Sequence, residues 1–174
     1  IGAGWAVGLD WLVIRAGVSS FISDAQTAPG RFNLFNYRNA TLIADYGHNP
    51  DAIQALVSAI NNIPSKKRSV VISAAGDRRD EDIRQQTRIL GDAFDEVVLY
   101  QDKCQRGRAD GEVLTLLREG LGNAKRTQKV SEIVGEDIAI DAALSNLKDG
   151  ELCLILVDQV EQSLGQINNR IALG

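Results

Sequence analysis

Thr41–Ile60, TLIADYGHNPDAIQALVSAI, joins two apolar runs of different period, and the junction between them holds the only histidine among 174 residues. TLIADY, Thr41 to Tyr46, is short, apolar and partly β-branched, the pattern of a buried strand. From Pro50 to Asn62 the apolar residues recur at helical spacing instead. Asn49 is a natural N-cap, and Pro50 suits the first helical position, where its missing N–H is not needed. Asp51 falls in the first turn, where the helix dipole favours a carboxylate. These three residues need no functional reason. Gly47 gives the turn either an unusual backbone angle or room for a close approach. His48 belongs to neither apolar face. It points above a sheet edge, beside free helix N–H groups that attract anions.

The same alternation repeats outward from this junction. RFNLFNY, Arg31 to Tyr37, reads as a strand, as do Arg68–Ala74, Asp95–Tyr100, a short Thr127–Val130 and the strongly apolar Glu151–Val157. Helices are expected over Asp80–Phe94, Asp110–Leu121, Gly135–Leu147 and from about Val160 to Leu173. Short strands alternating with longer helices predict an α/β fold: right-handed crossovers, a mostly parallel sheet and helices on both faces. Working residues of such sheets lie beyond the carboxyl ends of the strands. That rule selects four loops, YGHNP, AGDRRD, QDKCQRGRAD and VDQVEQ. Ahead of the domain, Trp5 to Phe21 predicts one or two helices, with Gly8 and Gly17 as breaks, and SDAQTAPG reads as a linker. The chain thus divides into a helical tail of a preceding domain plus linker, 1–28, and an α/β domain, 29–174.

Apolar residues make up 44% of the chain and charged residues 24%, enough for a packed core. A net charge of −4 with no evident basic face argues against nucleic acid; SKKR, Ser65 to Arg68, is a solvated loop. No run of 18 apolar residues predicts a membrane span. The apolar N-terminal stretch is interrupted by Asp10 and Arg15 and lacks a basic leader, so it is not a signal peptide. Cys104 and Cys153 make neither a disulfide framework nor a metal site. Cys153 lies in an apolar strand and reads as core, whereas Cys104 lies in a polar loop. Cytoplasm is the default location. The chain has no methionine, even at position 1, so it is expected to be a piece of a longer protein.

Each loop admits a plain and a functional reading. Asp77 or Asp80 can cap the next helix; Arg78 and Arg79 can instead fork onto a phosphate or carboxylate. Asp102, Lys103, Arg106 and Arg108 are either a solvated charged loop or a ligand contact. Asp158 and Glu161 can start a helix or receive a cation. There is no GxxxxGK[ST] and no GxGxxG opening a helix after a strand, so a nucleotide would meet this chain only as a second wall.

PGRFNLF, then TLIADYGHNPDAI, then AAGDRRDEDI together resemble the C-terminal domain of the Mur ligase superfamily, ATP-dependent amide ligases. The resemblance covers residues 29–174, and GWAVGLDWLVIRAGVSSF resembles the last helices of that family's central ATP-binding domain. It implies a Rossmann-like sheet and a reaction in which ATP phosphorylates a carboxylate and an amine attacks the acyl phosphate. ATP and Mg²⁺ would be held mainly by the central domain, the direct partner of this one. The resemblance further implies that Arg31 contacts the nucleotide, that Asp45 accepts from its ribose hydroxyls and that His48 faces the phosphates or the incoming amino acid. Asp77 and Arg78 would build their loop. Asp102 matches an aspartate of a D-N-P-R motif, with Arg106 or Arg108 as the arginine that pairs with an α-carboxylate. GRFNLFNYRNATLIADYGHNPDAI is most similar to the branch that joins arginine to the β-carboxylates of a polyaspartate polymer, and Asp158 and Glu161 would then pair with the guanidinium. A homo-oligomer is expected for the full-length chain. Two alternatives stay open: a cell-wall peptide or folylpolyglutamate ligase, and a non-enzymatic flavodoxin-like binding module.

Overall fold

The computed structural model describes residues 1–21, 24–102 and 105–173. Cys104 lies outside them. Six strands form one sheet: β1 Asn33–Tyr37, β2 Ala40–Asp45, β3 Arg68–Ile72, β4 Glu96–Gln101, β5 Lys129–Val134 and β6 Leu152–Leu156. Their order is β1-β2-β6-β3-β4-β5. All pairs are parallel except β1 with β2. That hairpin turns on Arg38 and Asn39, both left-handed at φ 51° and 59°, the geometry that matches strand twist in a two-residue turn.

The helices are α1 Gly2–Ala6, α2 Trp11–Ser20, α3 Pro50–Ile60, α4 Asp80–Gly91, α5 Glu112–Gly120, α6 Glu136–Asn146 and α7 Val160–Ala172. α3, α4 and α5 cover one face, meeting Ile43, Val70, Ile72, Val97, Leu99 and Leu154. α6 and α7 cover the other, meeting Leu42, Ala44, Val71, Tyr100 and Ile155. β6 sits between them and is buried on both sides: Leu152, Leu154 and Leu156 face one helical layer, Cys153 and Ile155 the other. Full burial explains why LCLIL shows no polar alternation. It also makes Cys153 a core residue, its thiol pushed up to about 11 by burial.

Two helices precede the domain, and the break falls at Gly8, left-handed at φ 79°. Gly17 lies inside α2 and breaks nothing. β5 is longer than the short Thr127–Val130 strand read from sequence, because pairing with β4 carries it from Lys129 to Val134. No described helix is long and apolar enough to cross a membrane.

Candidate functional site

β2, β3 and β4 are each followed by a helix on one face, whereas β6 is followed by α7 on the other. The chain therefore diverges above the carboxyl end of β6, the kind of switch point that opens a ligand crevice in a parallel sheet. Asn49 builds one lip: its Oδ1 accepts from Ala52 N at 2.9 Å and Pro50 takes the first helical position. This capped turn sets His48 on the rim.

His48 is 8% exposed, yet its neighbours are polar. Its Nδ1 lies 2.9 Å from the Tyr46 carbonyl and its Nε2 lies 3.5 Å from Asp158 Oδ1. A carbonyl only accepts, so Nδ1 is the donor there, and Nε2 completes a bond to Asp158 when the ring is charged. The Tyr46 and His48 rings lie 4.3 Å apart. Arg106 approaches the same Asp158 oxygen at 3.4 Å and Asp77 at 3.6 Å. The hydrogen bond from His48, with the His48 and Arg106 charges behind it, holds the Asp158 carboxyl below the usual range against the opposing effect of burial.

Asp45 ends β2, and its Oδ2 accepts from Phe32 N at 2.7 Å. Tyr46 N donates to Gly30 O at 2.9 Å. These bonds fold the Gly30–Phe32 turn over the strand end and place the Arg31 guanidinium 5.8 Å above the Tyr46 ring. Burial raises the Asp45 carboxyl above its ordinary range, partly offset by the Phe32 amide, Arg31, the Gly47 amide and His48. The sign of the consequence is definite: a raised acid destabilises the fold while ionised and is relieved as pH falls through its folded value. Asp45→Asn is therefore expected to lose melting temperature relative to the wild type as pH falls from 7 toward 4, because only the wild type is relieved by protonation, while the Asn NH2 faces the Phe32 or Gly47 amide at every pH. Thermal unfolding of both forms across that range checks it; a difference that stays constant with pH counts against it.

The structure brings Arg31, Asp45, His48, Arg106 and Asp158 to one rim and treats the other candidates differently. Arg108 is absorbed by the loops: it donates to Gly76 O at 2.6 Å, Arg78 O at 2.7 Å, Asp80 Oδ1 at 2.8 Å and Glu112 Oε1 at 2.6 Å. It stitches the loop after β3 to the loop after β4. Glu161 stands exposed in the first turn of α7, sharing a shallow depression with Asp158 and Gln162. Asp102 borders a separate cavity of about 220 Å³, with Asp137, Gln159, Gln162 and Gln166. Neither Asp77 nor Asp80 caps α4; its N-cap is Arg79, without a side-chain cap bond. Gly47 has no left-handed angle. Its role is space, since a Cβ there would lie 3.0 Å from Asp45 Oδ1 and from Leu56 Cδ1.

Two supporting residues escaped the sequence reading. Buried Gln86 on α4 reaches the His48 carbonyl at 3.5 Å, and nothing about a glutamine in a helix announces that. Glu136 at the start of α6 accepts from the amides of Asp158 and Gln159 at 2.9 and 3.0 Å. A signal for it existed: once β5 is drawn to Val134, Gly135-Glu136 becomes a carboxyl-end loop like the other four.

A family model for the Mur ligase, glutamate ligase domain, matches residues 30–156. The chain belongs to the Mur ligase family. Among curated relatives, the cyanophycin synthetase of Synechocystis sp. is 31% identical over 172 residues, covering 99% of this chain and 20% of that protein. That of Crocosphaera subtropica is 33% identical, covering 97% and 19%. A UDP-N-acetylmuramoyl-L-alanyl-D-glutamate–2,6-diaminopimelate ligase of Alkaliphilus metalliredigens is 28% identical, covering 86% and 29%. This Mur ligase chain thus spans about a fifth of the length of the cyanophycin synthetases it matches. Its fold matches the solved structure of a diaminopimelate ligase of that name at TM-score 0.71 and 19% identity, over 98% of this chain and 36% of that one. E. coli FolC in complex with DHPP and ADP matches at TM-score 0.70 and 24% identity, over 93% and 35%.

Proposed function

We propose that this chain is the C-terminal domain of a cytoplasmic, ATP-dependent ligase of the cyanophycin synthetase type, joining L-arginine to the β-carboxylates of polyaspartate. The observation that carries the reading is the grouping of His48, Asp158 and Arg106 at the switch point of a Mur ligase domain that is similar over nearly its whole length to cyanophycin synthetases. The rim offers an imidazole paired with a carboxylate and two guanidiniums, a donor set that suits phosphate and carboxylate oxygens. The metal and most phosphate contacts are assigned to the central domain, so the chain is inactive alone.

On this reading Arg31 and Asp45 meet the nucleotide from the sheet side. His48 lies where charge collects as the amine attacks the acyl phosphate and phosphate leaves, and closure of the rim keeps water out. Arg106 pairs with the α-carboxylate of the incoming amino acid, since Arg108 is engaged in holding its loops together. Asp158 and Glu161, which share one depression at the rim, present carboxylates to a guanidinium.

The test is ATP turnover by the full-length protein with polyaspartate-type primer and a panel of amino acids. Arginine is expected to stimulate it, and Glu161→Gln to raise the KM for arginine. Stimulation by diaminopimelate or glutamate instead assigns a cell-wall or folate-type reaction. Calorimetry of this chain with ATP and with arginine is expected to show weak binding or none; tight binding to the isolated chain would favour a self-sufficient binding module.

A further inference from the structure

Glu136 opens α6, yet its side chain serves the neighbouring helix. Oε1 accepts from Asp158 N at 2.9 Å and from Ser163 Oγ at 2.7 Å, and Oε2 accepts from Gln159 N at 3.0 Å. The residue is 7% exposed. A buried carboxylate is costly unless donors replace its water, and here three donors converge on it at a helix N-terminus. Gln159 is the N-cap of α7 and makes no side-chain cap bond; Glu136, from another element, holds the backbone amides of that residue and of the one before it. The loop is pinned on its other side by Val157 N, which donates to Asp45 O at 2.9 Å. Between these two fixed points stands Asp158, aimed at His48 and Arg106.

We propose that Glu136 is a positioning residue: by holding the Asp158 and Gln159 amides it keeps the Asp158 carboxylate between His48 and Arg106. Its value for catalysis rests on the reading of this rim as the working site; the geometric claim does not. A glutamine at 136 keeps the length of the side chain but turns a donor toward a donor, freeing one of the two amides. Ser163→Ala removes one bond and leaves both amides held.

The test follows the Asp158 carboxyl by NMR titration in this chain. Asp158 is expected to titrate low in the wild type and in Ser163→Ala, and to rise toward the ordinary range in Glu136→Gln. A purely structural cap predicts a lower melting temperature with Asp158 unchanged or lower still, because neutralising Glu136 removes a nearby like charge, and that result overturns the proposal. Should Glu136→Gln fail to fold, amide exchange of the wild type decides. The Asp158 and Gln159 amides are expected to exchange at least about 100-fold more slowly than in an unstructured peptide; exchange at the free rate overturns the proposal. In the full-length ligase Glu136→Gln is expected to lower kcat about 10- to 100-fold with little change in KM for ATP. An Asp158 that shifts with no loss of turnover would sink the assignment of the rim as the working site and leave the positioning of Asp158 standing.

Discussion

His48→Ala in the full-length ligase is expected to lower kcat by about 10²- to 10³-fold, the usual cost of removing one preorganised group from the place where charge develops. The imidazole is fixed from two sides, by the Tyr46 carbonyl at 2.9 Å and by Asp158 at 3.5 Å. Both ring nitrogens are engaged, so Nε2 turns from Asp158 to donate to a developing negative charge. Alanine leaves the Asp158 carboxylate with Arg106 and the Gln159 side-chain amide but without its imidazole partner, so the rim loses a donor. His48→Gln keeps a donor without the charge and is expected to retain more activity than alanine. The fold should survive both substitutions, because His48 lies at the rim, beside the Tyr46 ring, and not between the packed layers. The deciding measurement is kcat with KM for each substrate, alongside a circular dichroism spectrum to show an intact fold. A variant with wild-type kcat would remove His48 from the mechanism.

Gly120→Ala is expected to cost about 3 kcal/mol, the upper end for overpacking a tight contact, or roughly 6–12 °C of melting temperature for a chain of this length. Gly120 is helical, at φ −62° and ψ −29°, so backbone freedom is not the reason for a glycine. The reason is approach: an added Cβ would lie 2.2 Å from the Arg84 carbonyl oxygen and 2.2 Å from Thr87 Oγ1. α4 and α5 pack backbone to side chain here, and a carbonyl inside a helix cannot swing away as a flexible side chain can. Gly122, two residues on, has open space where its Cβ would be. Gly122→Ala is the control and should change the melting temperature little. Equal melting temperatures for the two variants would show that α4 and α5 part at little cost.

Much of the domain was legible because period and burial agree. α3 shows its capping residues in order, Asn49, Pro50, Asp51, and its apolar positions Ile53, Leu56, Val57 and Ile60 all turn inward. β6 announces itself as five buried residues in a row. β5 was harder, since this edge strand is half-buried on one side only, at Ser131 and Ile133, and its other side carries Glu132 without conflict and leaves Val134 exposed. Its true end decides whether Glu136 is noticed at all.

Sequence alone determined the α/β class, the strand-to-helix junctions and the loops that gather above the sheet, because these follow from local period, capping and the chirality of crossovers. It could not choose between Arg106 and Arg108, two residues apart in one loop. Tertiary structure separates them by packing: Arg108 is drawn into Gly76, Arg78, Asp80 and Glu112, while Arg106 is left facing Asp158 and Asp77. The pairing of His48 with Asp158 is likewise a product of the fold. It exists because β6, last in sequence, inserts beside β2, so that residues 110 positions apart end at the same rim.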